Sequence, residues 1–176
     1  MIMTPRLRKF ALTAHVTSSV GWLGAVAVFL AHAVLALTSK DVLTMRAAYI
    51  VMEPAAWFVL VPLAFASLLT GLVQSLGTTW GLFRHYWVLF KLLITVFATI
   101  VLLMYTQTLS YLADVAAQTT LSSDDLGVLR TPSVVFHSVL ALLVLLVATT
   151  LAVYKPQGVT RYGRRKQLEQ RRASQL

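Results

Sequence analysis

Residues 16–37 read VTSSVGWLGAVAVFLAHAVLAL, a run with no acidic or basic side chain other than His32. At about 1.5 Å per residue this run makes a helix of roughly 33 Å, enough to cross the hydrocarbon core of a bilayer once. Three further apolar runs follow, at about 55–76, 87–105 and 133–154. Backbone polar groups have no water to bond in lipid, so each run must close its own hydrogen bonds as a helix. Pro62 lies inside the second run and predicts a kink there, tolerated where neighbouring helices serve the freed carbonyl. The third run carries a helical extension toward Ala117, and Thr131-Pro132 precedes the start of the fourth. The expected fold is all-α: an integral membrane four-helix bundle over residues 1–154 with a basic tail at 155–176. Arg6, Arg8 and Lys9 precede the first run and Ala31-His32-Ala33 resembles a signal-peptidase site, but the run is longer than a usual signal core, so an uncleaved first span is expected.

Composition agrees. Of 176 residues, 58% are hydrophobic and 12% charged, too few polar groups to cover a water-soluble domain. Cysteine is absent, which excludes disulfides, iron–sulfur clusters and catalytic thiols. The net charge of +9 gathers at the ends of apolar runs, where it specifies topology rather than nucleic-acid binding. Arg6, Arg8 and Lys9, then Arg84 and Lys91, then the tail from Lys155 to Arg172 are the basic regions, and they share the cytoplasmic side. The other two connections balance Lys40 and Arg46 against Asp41, and Arg130 against Asp114, Asp124 and Asp125. Trp80, Tyr86, Trp87 and Tyr154 fall where aromatic rings favour the headgroup level. The expected location is a bacterial cytoplasmic (inner) membrane, with the basic tail on anionic lipid and no nucleic-acid partner.

Ionisable side chains inside a membrane are costly and mark function or a partner. With this orientation, His15 and His85 fall at the inner edge and His32 and His137 near the outer edge. Two layers of paired imidazoles suit one or two b-type haems, each iron held between facing helices. His15 and His32 are 17 positions apart, roughly 100° from sharing a helix face, which weakens that pairing. Edge histidines also occupy the lipid interface without binding a metal. Lys91, followed by Thr95 and Thr99, starts a polar stripe on the third helix. Its ammonium either binds a propionate, carboxylate or quinone oxygen or snorkels to headgroups. It is the candidate catalytic residue. Glu53, just before Pro54, suits either a proton relay or the start of a helix. Ser18, Gly21 and Ala25, and Ser67, Gly71 and Ser75, place small residues at helical spacing for close helix packing or a flat cofactor.

The segments Ala14-His15-Val16, Val20-Gly21-Trp22-Leu23-Gly24 and Trp87-Val88-Leu89-Phe90-Lys91-Leu92-Leu93 resemble an uncharacterised bacterial family of four-span proteins. They are also similar to HemJ-type membrane protoporphyrinogen oxidases and, more loosely, to copper-resistance protein D. The oxidase resemblance implies b-type haem and activity at His15 and Lys91; it does not extend to His32. His85 and His137 are more typical of the uncharacterised family. The leading expectation is a haem-binding membrane oxidoreductase with His15, His85, His137 and His32 as candidate cofactor and metal ligands, and a quinone-like or porphyrin partner. The alternatives are a copper or small-cation permease using His32, His137, Glu53, Met52 or Met104, and a structural partner in a membrane complex. A homo-oligomer is compatible with either.

Overall fold

The computed structural model describes residues 3–78 and 81–173. Four long apolar helical units build it, each long enough to cross a membrane. Helix α1 spans Pro5–Thr38; α2, Val42–Ala55, continues through a π turn at Ala56–Leu60 into α3, Val61–Gly77. Then come α4, Tyr86–Ala117, the short α5, Ser123–Leu129, α6, Ser133–Tyr154, and α7, Arg161–Ala173. Helix α1 packs between the α2–α3 unit and α6, while α4 packs against the other flank of each. The result is an up-down-up-down ring of four spans with both termini at one end, as the loop charges require.

Helix α1 and the α2–α3 unit outrun the apolar segments that announce them, whereas α4 extends to Ala117 and α6 runs Ser133–Tyr154 as expected. Helix α1 begins at Pro5, where Pro occupies the first turn and Thr4 Oγ1 accepts from Leu7 N at 3.4 Å. Its buried positions, Ala11, Ser18, Trp22, Val26, Phe29, Ala33 and Ala36, form one continuous stripe at three-, four- and seven-residue steps. The second unit begins at Val42 rather than near Ala55, because Asp41 caps it by accepting from Leu43 N and Thr44 N. Glu53 therefore sits in the last turn of α2, and a role at a helix start is excluded.

The break expected at Pro62 takes the form of the π turn at Ala56–Leu60, between Pro54 and Pro62. Neither proline can donate to the carbonyl four residues earlier, and one extra residue in the turn lets Val61 N bond Ala56 O instead. The buried positions Met52, Ala56, Leu60 and Ala64 consequently step by four without leaving the core face.

Most of the tightly packed core lies in the outer half. Phe29, Ala33 and Ala36 meet Met45, Tyr49 and Met52 and, from α4, Leu109, Leu112 and Ala116. Polar staples close that end. Tyr49 donates its hydroxyl to Leu129 O at 2.7 Å, and Arg46 donates to Ala116 O and Gln118 O at 2.6 and 2.5 Å, serving the carbonyls at the α4 C-terminus. At the basic end the tail is fastened rather than loose: Tyr86 N bonds Gly158 O, Thr160 N bonds Arg84 O, and Thr160 Oγ1 donates to Phe83 O. His85 and Val159 pair as a single antiparallel bridge. Trp80 lies outside the described residues.

Candidate functional site: a cationic cavity around His15 and Lys91

The inner half of the bundle opens into a cavity of about 740 Å³ between α1, α3, α4 and α6. Small-molecule and cofactor sites fall in this range. His15 and Lys91 face each other across it: Lys91 Nζ lies 3.1 Å from His15 Nε2. His15 Nδ1 lies 3.1 Å from Thr70 Oγ1. The Thr70 hydroxyl spends its one proton on Ala66 O at 2.5 Å, so toward His15 it accepts. The proton between them is therefore on Nδ1, and the Nε2 lone pair points at the cavity, where the Lys91 ammonium now donates to it.

The sequence builds this site from small residues. Gly71 lies against the imidazole, and a Cβ added there would sit 3.1 Å from His15 Cε1 and 3.5 Å from Nδ1. Ser19 and Ser67 bond hydroxyl to hydroxyl at 2.8 Å and draw α1 toward α3. The small stripe therefore does two jobs: Gly21 meets Leu63 in helix packing, while Gly71 makes room for the His15 ring. Thr95 and Thr99 are buried, so the stripe above Lys91 faces the interior, each hydroxyl donating to the carbonyl one turn earlier.

The lining includes Arg8, Lys9, His15, Lys91 and Lys155, with the indoles of Trp22 and Trp87, and among the described residues it holds no carboxylate. Lys155 ends α6 in the left-handed region at φ 44°, a position that favours glycine. Arg8 and Lys9 reach the cavity because α1 starts eleven residues before its fully apolar run. In the sequence these two read as a topogenic flank, and only the helix cap at Thr4 hints that they continue the same face.

The other candidates lie elsewhere. His85 precedes α4 in the fastening with Val159 and is not among the cavity's lining residues. His32 Nδ1 bonds Val28 O at 2.9 Å on its own helix. His137 Nδ1 bonds Ser133 O at 2.8 Å, and its ring stacks on Tyr105 with centroids 4.2 Å apart. Glu53 accepts from Ser110 at 3.1 Å. Among the described residues no three His, Asp or Glu side chains cluster as a metal site of protein ligands alone would need. The fold and site define a multi-pass membrane protein with a cation-lined cavity at its basic end. No family model, curated protein or solved structure matches the chain.

Proposed function

We propose that this protein is a b-type haem-binding redox protein of a bacterial cytoplasmic membrane, in which His15 of the inner cavity would hold the iron. The observation that carries the proposal is the His15 imidazole, fixed through Nδ1 by Thr70 and offering Nε2 to a cavity lined by cations. Metal-ligating histidines are typically oriented in this way by a bond at the other ring nitrogen. The donor set fits the group: a neutral imidazole for iron, apolar and indole walls for the macrocycle, and Arg8 and Lys9 for two propionates. Lys91 occupies that lone pair, and its ammonium would supply a positive charge to a carboxylate or a quinone oxygen beside the bound group.

Bound haem supplies one-electron chemistry, and the electron partner is then a quinone-like or porphyrin molecule drawn from the membrane. The cations of the lining, with no carboxylate among its described residues, support an anionic ligand over a copper or small-cation conduit. Protein expressed with haem available and purified in detergent should show a Soret band that shifts on dithionite reduction, and a pyridine haemochromogen of b type. H15A should lose it, whereas H32A and H137A should keep it. A colourless preparation that takes up no added haem overturns the proposal.

A further inference from the structure

Four helices wall the inner cavity, and two of them leave it open. Among the described residues, those that α3 and α4 give to the lining, from Ser67 to Thr78 and from Trp87 to Thr95, are all buried or half-buried. Every exposed lining residue lies on α1 or toward the end of α6. On α1 these are Arg8, Lys9, Leu12, Val16 and Val20; on α6 they are Thr149, Val153 and the cap residue Lys155. Val20 is 60% exposed and Val153 71%, so neither wall closes over these side chains. The same two helices give the lining the small side chains of Ser19, Ala148 and Ala152, which leave room for a slot between them. The opposite side is braced: Met3 N bonds Gly77 O at the end of α3, and Thr160 N bonds Arg84 O ahead of α4.

The slot is polarised along the bundle axis. Its exposed cations, Arg8, Lys9 and Lys155, stand at the cytoplasmic end, and its exposed apolar side chains, Leu12, Val16, Val20 and Val153, stand deeper. From Arg8 to Val20 helix α1 rises about 18 Å, against about 15 Å for the hydrocarbon of one leaflet. The slot therefore runs from the headgroup level well into the inner leaflet. At that depth the medium outside it is acyl chain rather than water, so a molecule entering sideways must dissolve in the bilayer. Cations at the headgroup end select a negative charge on the part of that molecule that stays near water.

We infer that the inner cavity takes its ligand sideways from the inner leaflet, through a portal between α1 and α6, and that this ligand is an anionic amphiphile. Its acidic end stays with Arg8, Lys9 and Lys155, while its apolar body passes between Val16 and Val20 on one side and Thr149 and Val153 on the other. The inference rests on the cavity being the ligand site proposed above and adds a route and a chemical class to it. It does not depend on iron: haem, with its propionates toward water, is one member of that class.

Trp22 provides the readout, because it is buried, lines the cavity and lies about 21 Å along α1 from Arg8. Its indole meets an acyl chain only inside the cavity. The full chain, with Trp22 as sole tryptophan (W57F/W80F/W87F), is placed in phosphatidylcholine vesicles at mildly alkaline pH. The probe is a long-chain fatty acid brominated near its methyl end, since bromine quenches an indole on contact. The expected result is saturable quenching at several-fold lower concentration than with the methyl ester of the same acid, and R8Q/K9Q should abolish that difference. V16F/T149F narrows the slot and should slow quenching several-fold, whereas V73F, exposed on α3 outside the lining, should not. T149F alone repeats the rate test with a smaller change, and circular dichroism checks that each variant keeps its helices. Equal quenching by acid and ester overturns the anionic class, an unchanged rate in both slot variants overturns the portal, and an unquenched Trp22 overturns both. Haem uptake from haemin-loaded vesicles is read separately at the Soret band: its absence with quenching intact removes the haem reading and supports the portal.

Discussion

Replacing Gly71 by alanine isolates the orientation of His15 from everything else in the bundle. The added methyl would lie 3.1 Å from Cε1 and 3.5 Å from Nδ1 of the ring, so the ring must retreat by a few tenths of an ångström. Retreat from α3 takes the ring toward the cavity it lines. Moving that way lengthens the 3.1 Å bond from Nδ1 to Thr70 beyond good hydrogen-bond geometry. A bond of this kind contributes about 0.5–1.5 kcal/mol, while removing a mid-helix glycine returns roughly 0.5–1 kcal/mol of helix stability. The two nearly cancel, and the thermal midpoint in detergent should barely move. Ligand binding has no such compensation: loss of the orienting partner weakens a histidine–metal bond by about 10–100-fold. Haem titration followed at the Soret band should show that loss in G71A, and complete loss in G71L. If G71A binds haem as the wild-type chain does, the ring's position is not set by this contact and the argument for His15 fails.

Four further outcomes follow from other parts of the molecule. T70V, which removes the acceptor for His15 Nδ1 while keeping shape, should reduce haem affinity by about 10–100-fold, with T70S restoring most of it. Y49F deletes a buried 2.7 Å bond to Leu129 O and should cost about 1–2 kcal/mol, read as a lowered thermal midpoint with no effect on the inner cavity. T160A keeps the backbone bond to Arg84 O but removes the hydroxyl bonds to Phe83 O and Arg84 O and the acceptor for Gly163 N, so limited trypsin digestion should cut within α7 several-fold faster. Asp41 carries a carboxyl held below its ordinary value of 3.8, first by the Thr44 hydroxyl and then by the Thr44 and Leu43 amides. Its contribution to the start of α2 is full above pH 3.8 and is lost as pH falls through the lowered value, so acid fraying at Leu43, followed by hydrogen exchange, should be absent in D41N.

Hydropathy made the four spans and their ring legible, because lipid leaves a backbone no alternative to closing its bonds within helices. The inward face of Lys91 was legible from the stripe with Thr95 and Thr99, but that His15 meets it there was not. What hydropathy does not report is where helices continue into the aqueous side. The stretch Val42–Ala55 mixes Thr44, Arg46 and Glu53 with its apolar residues, and Pro54 reads as a helix start, although Asp41 with Thr44 and the spacing Met45, Ala48, Tyr49, Met52 spell an earlier one. Depth alone paired His15 with His85. Depth says nothing of direction, and the strand-like bridge to Val159 that engages His85 joins segments 74 positions apart, which no local pattern announces.

Packing is uneven along the bundle axis: the outer half is filled and stapled by Arg46 and Tyr49, and the inner half is hollow. Openings that expose backbone amides therefore require little at the inner end and close to the global unfolding free energy at the outer end. A molecule entering the cavity would order α1, α3 and the end of α6 together, and through Lys155 that order would pass directly into the fastened tail. The tail's own dynamics thus become a gauge of occupancy, readable from the water phase without touching the membrane-embedded site.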